Sequence, residues 1–209
     1  MYNKSLLFGY LIAAALTHSG SVFAGNIANG GFDSDLSQWS TVTNGGTVEW
    51  NAGSATLSTG SGSAAFSSVL VQGDDGTFSF ATPILLGAGD DFLKFDAVFS
   101  SMGQDVLENP IGSFTDNLQI WLYDTTNVSQ ALATLGINTI GSTFAIDLSP
   151  FQGMSVAFSF ELNDEADGFD SRFTLDNVRI EPVPLPAAAW FELTALLGFA
   201  YRTFRKRVP

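Results

Sequence analysis

Cysteine is absent from these 209 residues, which excludes a disulfide framework, a thiolate nucleophile and any Cys-ligated metal. Histidine occurs once, as His18, inside a mostly apolar N-terminal stretch. Further along there is no imidazole for a Ser-His-Asp triad, a Cys-His pair or a His-ligated zinc. Cations are nearly missing as well: between residues 25 and 181 only Lys94, Arg172 and Arg179 face 20 carboxylates, a net charge of −17. A surface so acidic repels phosphate backbones and argues against nucleic acid as a partner. Carboxylate chemistry, as in a glycosidase acid/base pair, is the catalytic route that survives these absences. With so many acids, two close carboxylates are expected by chance, so their presence is no signal and the chain reads as non-catalytic.

The N-terminus carries Lys4, an apolar run from Leu6 to Leu16 and the small-residue site Val22-Phe23-Ala24. These are the three parts of a secretory signal peptide, with an apolar run too short to span a bilayer. Sec-type export and cleavage by signal peptidase between Ala24 and Gly25 are expected. Residues 25–181 then form one domain, long enough to bury a core. Two accounts of its charge stand open: Ca2+ held by clustered oxygens, or solubility through self-repulsion.

Helical periodicity is missing from this domain, and short alternating runs recur between turn signals. In Met154–Asn163, residues Met154, Val156, Phe158, Phe160 and Leu162 point one way. Ser155, Ala157, Ser159 and Glu161 lie between them, the pattern of a strand with one face in a core and one facing out. Similar runs fill 77–86, 92–100, 117–124, 143–148 and 172–181, with weaker ones at 47–51, 55–59 and 64–72. Residues 87–91 and 149–153 punctuate them as turns. About nine or ten short strands without helices predict an all-β, two-sheet β-sandwich.

Asn29-Gly30-Gly31-Phe32-Asp33 followed by Leu36-Ser37-Gln38-Trp39 resembles the opening of galactose-binding-like jelly rolls and related carbohydrate-binding modules. The stretch 147–153 with its following strand resembles their penultimate hairpin, and Leu175-Asp176-Asn177-Val178-Arg179-Ile180 their closing strand. The resemblance implies a jelly-roll-like sandwich and a structural calcium where first and last strands meet, with Asp33, Asp176 and backbone oxygens near Asn29 as its ligands; the other account, in which Asp33 caps a turn and Asp176 lies in solvent, stays open. The residues themselves suit this frame. Phe32 and Trp39 flank a polar turn and can plug one end of a sandwich. Phe173 and Leu175 alternate inward, then Val178 and Ile180 do so after a one-residue slip, which predicts a bulge near Asp176 or Asn177.

Sugar binding has one local candidate, Gln119, Trp121 and Tyr123. Leu118, Ile120 and Leu122 take the core face of that run, so both rings face the other side, where they can stack on pyranose rings. Gln119 and Asp124 would then bond hydroxyls. The other reading, a small second core on the same face, stays open. Trp50 is a further candidate platform. The loop 163–170 packs four acids around Gly168 without the EF-hand spacing and reads as a solvated acidic turn.

The C-terminus holds the most specific signal. Pro182, Pro184 and Pro186 alternate with Val183 and Leu185, forcing an extended segment. Ala187 to Tyr201 is apolar, about 22 Å long as a helix against a hydrocarbon core of about 30 Å. Arg202, Arg205, Lys206 and Arg207 follow. Val183-Pro184-Leu185-Pro186-Ala187 with this helix and basic tail resembles the PEP-CTERM class of sorting signals, in its VPLPA variant. The resemblance implies an exosortase-type membrane peptidase as partner, and a place in the envelope or exopolysaccharide matrix of a Gram-negative bacterium. The tail would anchor the chain in the membrane, transiently or permanently. Glu192 departs from the pattern, since an acid near a helix centre costs about 2.5–3.5 kcal/mol on insertion. The chain as a whole reads as an exported surface or matrix protein with a structural or adhesive sandwich. The alternative is a carbohydrate-binding module that tethers it to exopolysaccharide.

Overall fold

A computed structural model describes residues 26–60, 67–72, 83–101, 116–124, 129–135, 142–164 and 170–183. The Ala24–Gly25 bond, residues 184–187 of the expected sorting motif, the apolar stretch with Glu192 expected to be helical, and residues 165–169 of the acidic loop lie outside them. Among the described residues no helix is long and apolar enough to cross a membrane.

Among the described residues eleven strands follow in order: β1 (Trp39–Thr43), β2 (Thr47–Trp50), β3 (Ala55–Ser58), β4 (Ser68–Gln72), β5 (Ile84–Leu85) and β6 (Phe92–Ser101). β7 (Asn117–Asp124), β8 (Ser129–Leu135), β9 (Ser142–Asp147), β10 (Ser155–Asn163) and β11 (Ser171–Glu181) complete them. Sheet A runs β1-β4-β10-β7-β8, with β5 also paired to β10; sheet B runs β2-β3-β11-β6-β9. Every pairing is antiparallel. The described residues therefore form an all-β two-sheet sandwich, as the alternation predicts.

The inward rows meet in one aromatic-rich core. Val156, Phe158, Phe160 and Leu162 of β10 are buried against Leu93, Phe95 and Phe99 of β6 and Phe173 and Leu175 of β11. Phe95 meets Phe160 edge-on at 5.3 Å across the sandwich, and Phe99 lies 4.7 Å from Phe173. Each fully buried phenylalanine contributes about 1.5–3 kcal/mol of transfer free energy.

The end plug forms as the sequence suggests. Phe32 and Trp39 are buried, 5.2 Å apart, and the Trp39 indole donates to the Asn29 carbonyl at 3.0 Å. Asn29 and Phe32 both take positive φ, 50° and 47°, which folds this segment back on itself. Gly30 then closes against β11. Its carbonyl accepts from Val178 N at 2.8 Å, and a Cβ there would lie 1.8 Å from the Val178 oxygen. The bulge in β11 falls between Asp176 and Arg179, with Asn177 at φ 52°. That extra residue returns Val178 and Ile180 to the core.

Two strands were not expected, and one face differs. WSTVT of β1 is short, and SQALATL of β8 is mostly Ala, Leu and Gln, which favour helix, with Thr134 its one β-branched residue. Both become strands through their neighbours, β1 on β4 and β8 on β7. The outward side of β10 does not face solvent, since Ala157 and Ser159 are fully buried. Pairing supplies the reason. β10 lies between β4 and β7, and Val69, Val71 and Tyr123 crowd beside Ala157. Where the chain crosses from sheet A to sheet B, Asn44 N and Gly46 N both donate to the Ser67 carbonyl, at 2.8 and 3.1 Å. A Cβ at Gly46 would sit 1.9 Å from the Ser58 oxygen, so the two sheets are joined there backbone to backbone.

Candidate binding face of sheet A

β7 sorts its side chains by strand alternation. Leu118, Ile120 and Leu122 are buried inward, while Gln119, Trp121 and Tyr123 stand outward and part-exposed. Register places Glu161, Ser159 and Ala157 of β10 opposite them in that order. On the other side lie Thr134, Ala131 and Ser129 of β8, after a register shift between Ile120 and Trp121. Asp124 pairs with Val156, in the inward register of Leu122. It is therefore off the ring face, contrary to the role expected for it.

Tyr123 leans along the sheet and donates its hydroxyl to Glu161 Oε1 at 2.9 Å. Ser159 Oγ donates to the same oxygen at 2.8 Å. Burial, then the Glu161 charge and this hydrogen bond, raise the Tyr123 pKa above the ordinary phenol value. The phenol therefore stays a donor across the physiological range. Beside it Val69, Val71 and Ala157 form a small apolar cluster, with Val42 packed against it. The Trp121 indole nitrogen is buried without a hydrogen-bond partner. An orphaned donor of this kind costs about 1–3 kcal/mol, and such exceptions call for an explanation.

Sheet B presents a different exterior. Glu181 bonds Lys94 and Arg179, both at 2.5 Å, and these bonds, Lys94 first, hold its carboxyl below the usual range. Asp96 accepts from Thr143 Oγ1 at 2.5 Å and from Asn177 Nδ2 at 2.8 Å, which lowers its pKa. Arg172 pairs with Asp170 at 2.8 Å.

The remaining candidates fall elsewhere. Asp33 is exposed, and Asp176, opposite Asp96, accepts from Asn177 N at 2.6 Å. The described residues hold no group of three or more acids able to ligate a metal. The Asn29 carbonyl is already engaged by Phe32 N and the Trp39 indole. Asp33 and Asp176 are thus not grouped with a third acid among the described residues. Trp50, 43% exposed on edge strand β2, donates its indole to the Phe32 carbonyl at 2.6 Å and braces the end plug. Asp164, at the start of the acidic loop, is buried rather than solvated. Asp170 at its far end bonds Gly60 N and Arg172. Val183 is exposed, with its N–H on Asp91 Oδ2 at 2.7 Å.

Sequence reasoning missed Glu161 and Ser159. The available signal was an acid on the polar row of an otherwise apolar strand.

No family model and no curated protein matches the chain. Among solved structures it is similar to a family 4 carbohydrate-binding module, at 13% identity and TM-score 0.44 over 72% of this chain and 99% of that one. It is also similar to a family 29 carbohydrate-binding module variant complexed with cellulohexaose, at 12% identity and TM-score 0.44 over 69% and 80%. Another family 29 variant, complexed with mannohexaose, gives 13% identity and TM-score 0.43 over 69% and 81%. A likeness at this level says nothing of a ligand for this chain.

Proposed function

We propose that the sandwich is a non-catalytic module of an exported protein and binds carbohydrate on the outer face of sheet A. The observation that carries this reading is the pair Trp121 and Tyr123 on one side of β7, flanked by Gln119 and Glu161. Apolar rings with a few placed polar groups are the usual make-up of a small-ligand site. A pyranose has an apolar face for a ring and hydroxyls for carboxylate and amide oxygens. Tyr123, fixed by Glu161, would keep its orientation when sugar arrives. Affinity gel electrophoresis on a panel of neutral, acidic and amino polysaccharides tests it. Retardation that disappears in Trp121→Ala supports binding, and no retardation on any of them sinks the idea.

A structural or adhesive sandwich is the second reading. The buried Val69, Val71, Ala157 and Ser159 favour it, because they make this face a small second core. Trp121→Ala would then lower thermal stability without any change on the gels.

Export rests on the signal peptide and the VPLPA tail. The mature protein should begin at Gly25 and, after cleavage by an exosortase-type peptidase, end between Glu181 and Ala188. An intact mass from the membrane fraction that retains residues 202–209 would instead make the tail a permanent anchor.

A further inference from the structure

We propose that the outer face of sheet A takes a glycan bearing primary amines, whose ammonium groups are held by Glu161 beside the Trp121 ring. This rests on the carbohydrate reading and names the ligand class within it.

The first observation is where charge lies. The strands of sheet A contain no lysine or arginine, and Glu161 is the one charged residue on their outer face. Lys94, Arg172 and Arg179, the three cations between residues 25 and 181, all sit on β6 and β11 of sheet B. Each is already ion-paired, Lys94 and Arg179 with Glu181 and Arg172 with Asp170. A uronate or sulfated glycan therefore finds no cation among the described residues of this face. A cationic glycan finds the opposite, a domain of net charge −17 that raises its local concentration.

The second observation is the state of Glu161. Its Oε1 accepts from both Tyr123 and Ser159, which fixes the carboxylate before any ligand arrives. Oε2 accepts from nothing among the described residues. An ionised carboxylate is acceptor-only, and on this part-exposed residue that oxygen is open to a ligand's donor. A sugar hydroxyl can supply one, but an ammonium supplies it with charge, a bond roughly twice as strong. Trp121 lies one row away on the same face, opposite Ser159, where its ring can attract the same cation.

The experiment is calorimetric titration of the full chain, kept in mild detergent, with glucosamine hexamer, its N-acetylated counterpart, cellohexaose and hexalysine. The expected result is glucosamine hexamer binding about five- to tenfold tighter than either uncharged sugar. That margin should vanish in Glu161→Gln, which keeps the acceptor used by Tyr123 and Ser159, and affinity for every sugar should fall in Trp121→Ala. Glu49→Gln, an equal charge change on exposed β2 of sheet B, should leave the margin intact. Equal affinity for all three sugars overturns the amine proposal and leaves the carbohydrate reading standing. So does a loss in Glu49→Gln as large as in Glu161→Gln, or hexalysine binding that ignores Trp121→Ala, since either means diffuse charge attraction. No binding of any sugar overturns both.

Discussion

Outward positions on the two sheets are occupied in opposite ways. On β6 and β11 of sheet B they are Lys94, Asp96, Val98, Arg179 and Glu181, a charged and hydrogen-bonded exterior with Val98 47% exposed. On β4 and β10 of sheet A they include Val69, Val71, Ala157 and Ser159, all buried, with Ser155 and Glu161 part-buried toward the ends of the β10 row. Both sheets share one core, so the contrast comes from what neighbouring strands put beside each position. Alternation tells which side of a strand a residue takes, and the neighbours decide whether that side is wet.

The strongest way to break the contrast is one substitution made on both exteriors. Val71→Ala on sheet A should cost about 1.5–2.5 kcal/mol, the transfer of two methyl-sized groups with a small cavity. Val98→Ala on sheet B should stay within about 0.5 kcal/mol. Urea unfolding of the two variants decides it, and equal costs would mean that sheet A's exterior is as open as sheet B's.

Acid should loosen sheet B. The folded-state pKa values of Glu181 and Asp96 are depressed. Their stabilisation is therefore present above the ordinary carboxylate range and lost as pH falls through it. Urea midpoints followed from pH 6 down to pH 3 should fall less steeply in Glu181→Gln than in the parent chain. Parallel curves would remove Glu181 from the effect.

Alkali should act on sheet A, with a smaller effect. Tyr123 is the sole tyrosine between residues 25 and 181, and its folded-state pKa is raised. Its contribution is present below the ordinary phenol pKa near 10 and declines as pH rises beyond it. Tyr123→Phe should be slightly less stable at neutral pH and lose less between pH 9 and 11. A Tyr123→Phe chain that tracks the parent throughout would show the phenol to be free in solution.

Much of the frame is legible in the sequence. The runs 92–100, 117–124 and 172–181 coincide with β6, β7 and β11, because clean alternation or a regular slip marks each of them. The Asn177 bulge is readable for the same reason: Leu175 and Val178 can share a face only if one residue is extra. β8 is not legible, since SQALATL has no alternation and becomes a strand through the edge of β7. The site was half legible. Leu118, Ile120 and Leu122 fix which way Trp121 and Tyr123 turn, but Glu161 joins Tyr123 from 38 residues away. Sheet register alone makes that meeting, and no local pattern announces it.

The placing of β11 has a mechanical side. It is an interior strand, laddered to β6 along its length and to β3 over Arg172–Leu175, with Gly30 tied to Val178. Tension applied beyond Val183 enters along the axis of this strand, so its rungs share the load and must fail together. Tension on the edge strand β1 can open rungs one after another. Pulling single molecules from either position should separate the two by rupture force, with the higher value at Val183. A load that arrives through the C-terminal end would thus meet an interior strand before any edge.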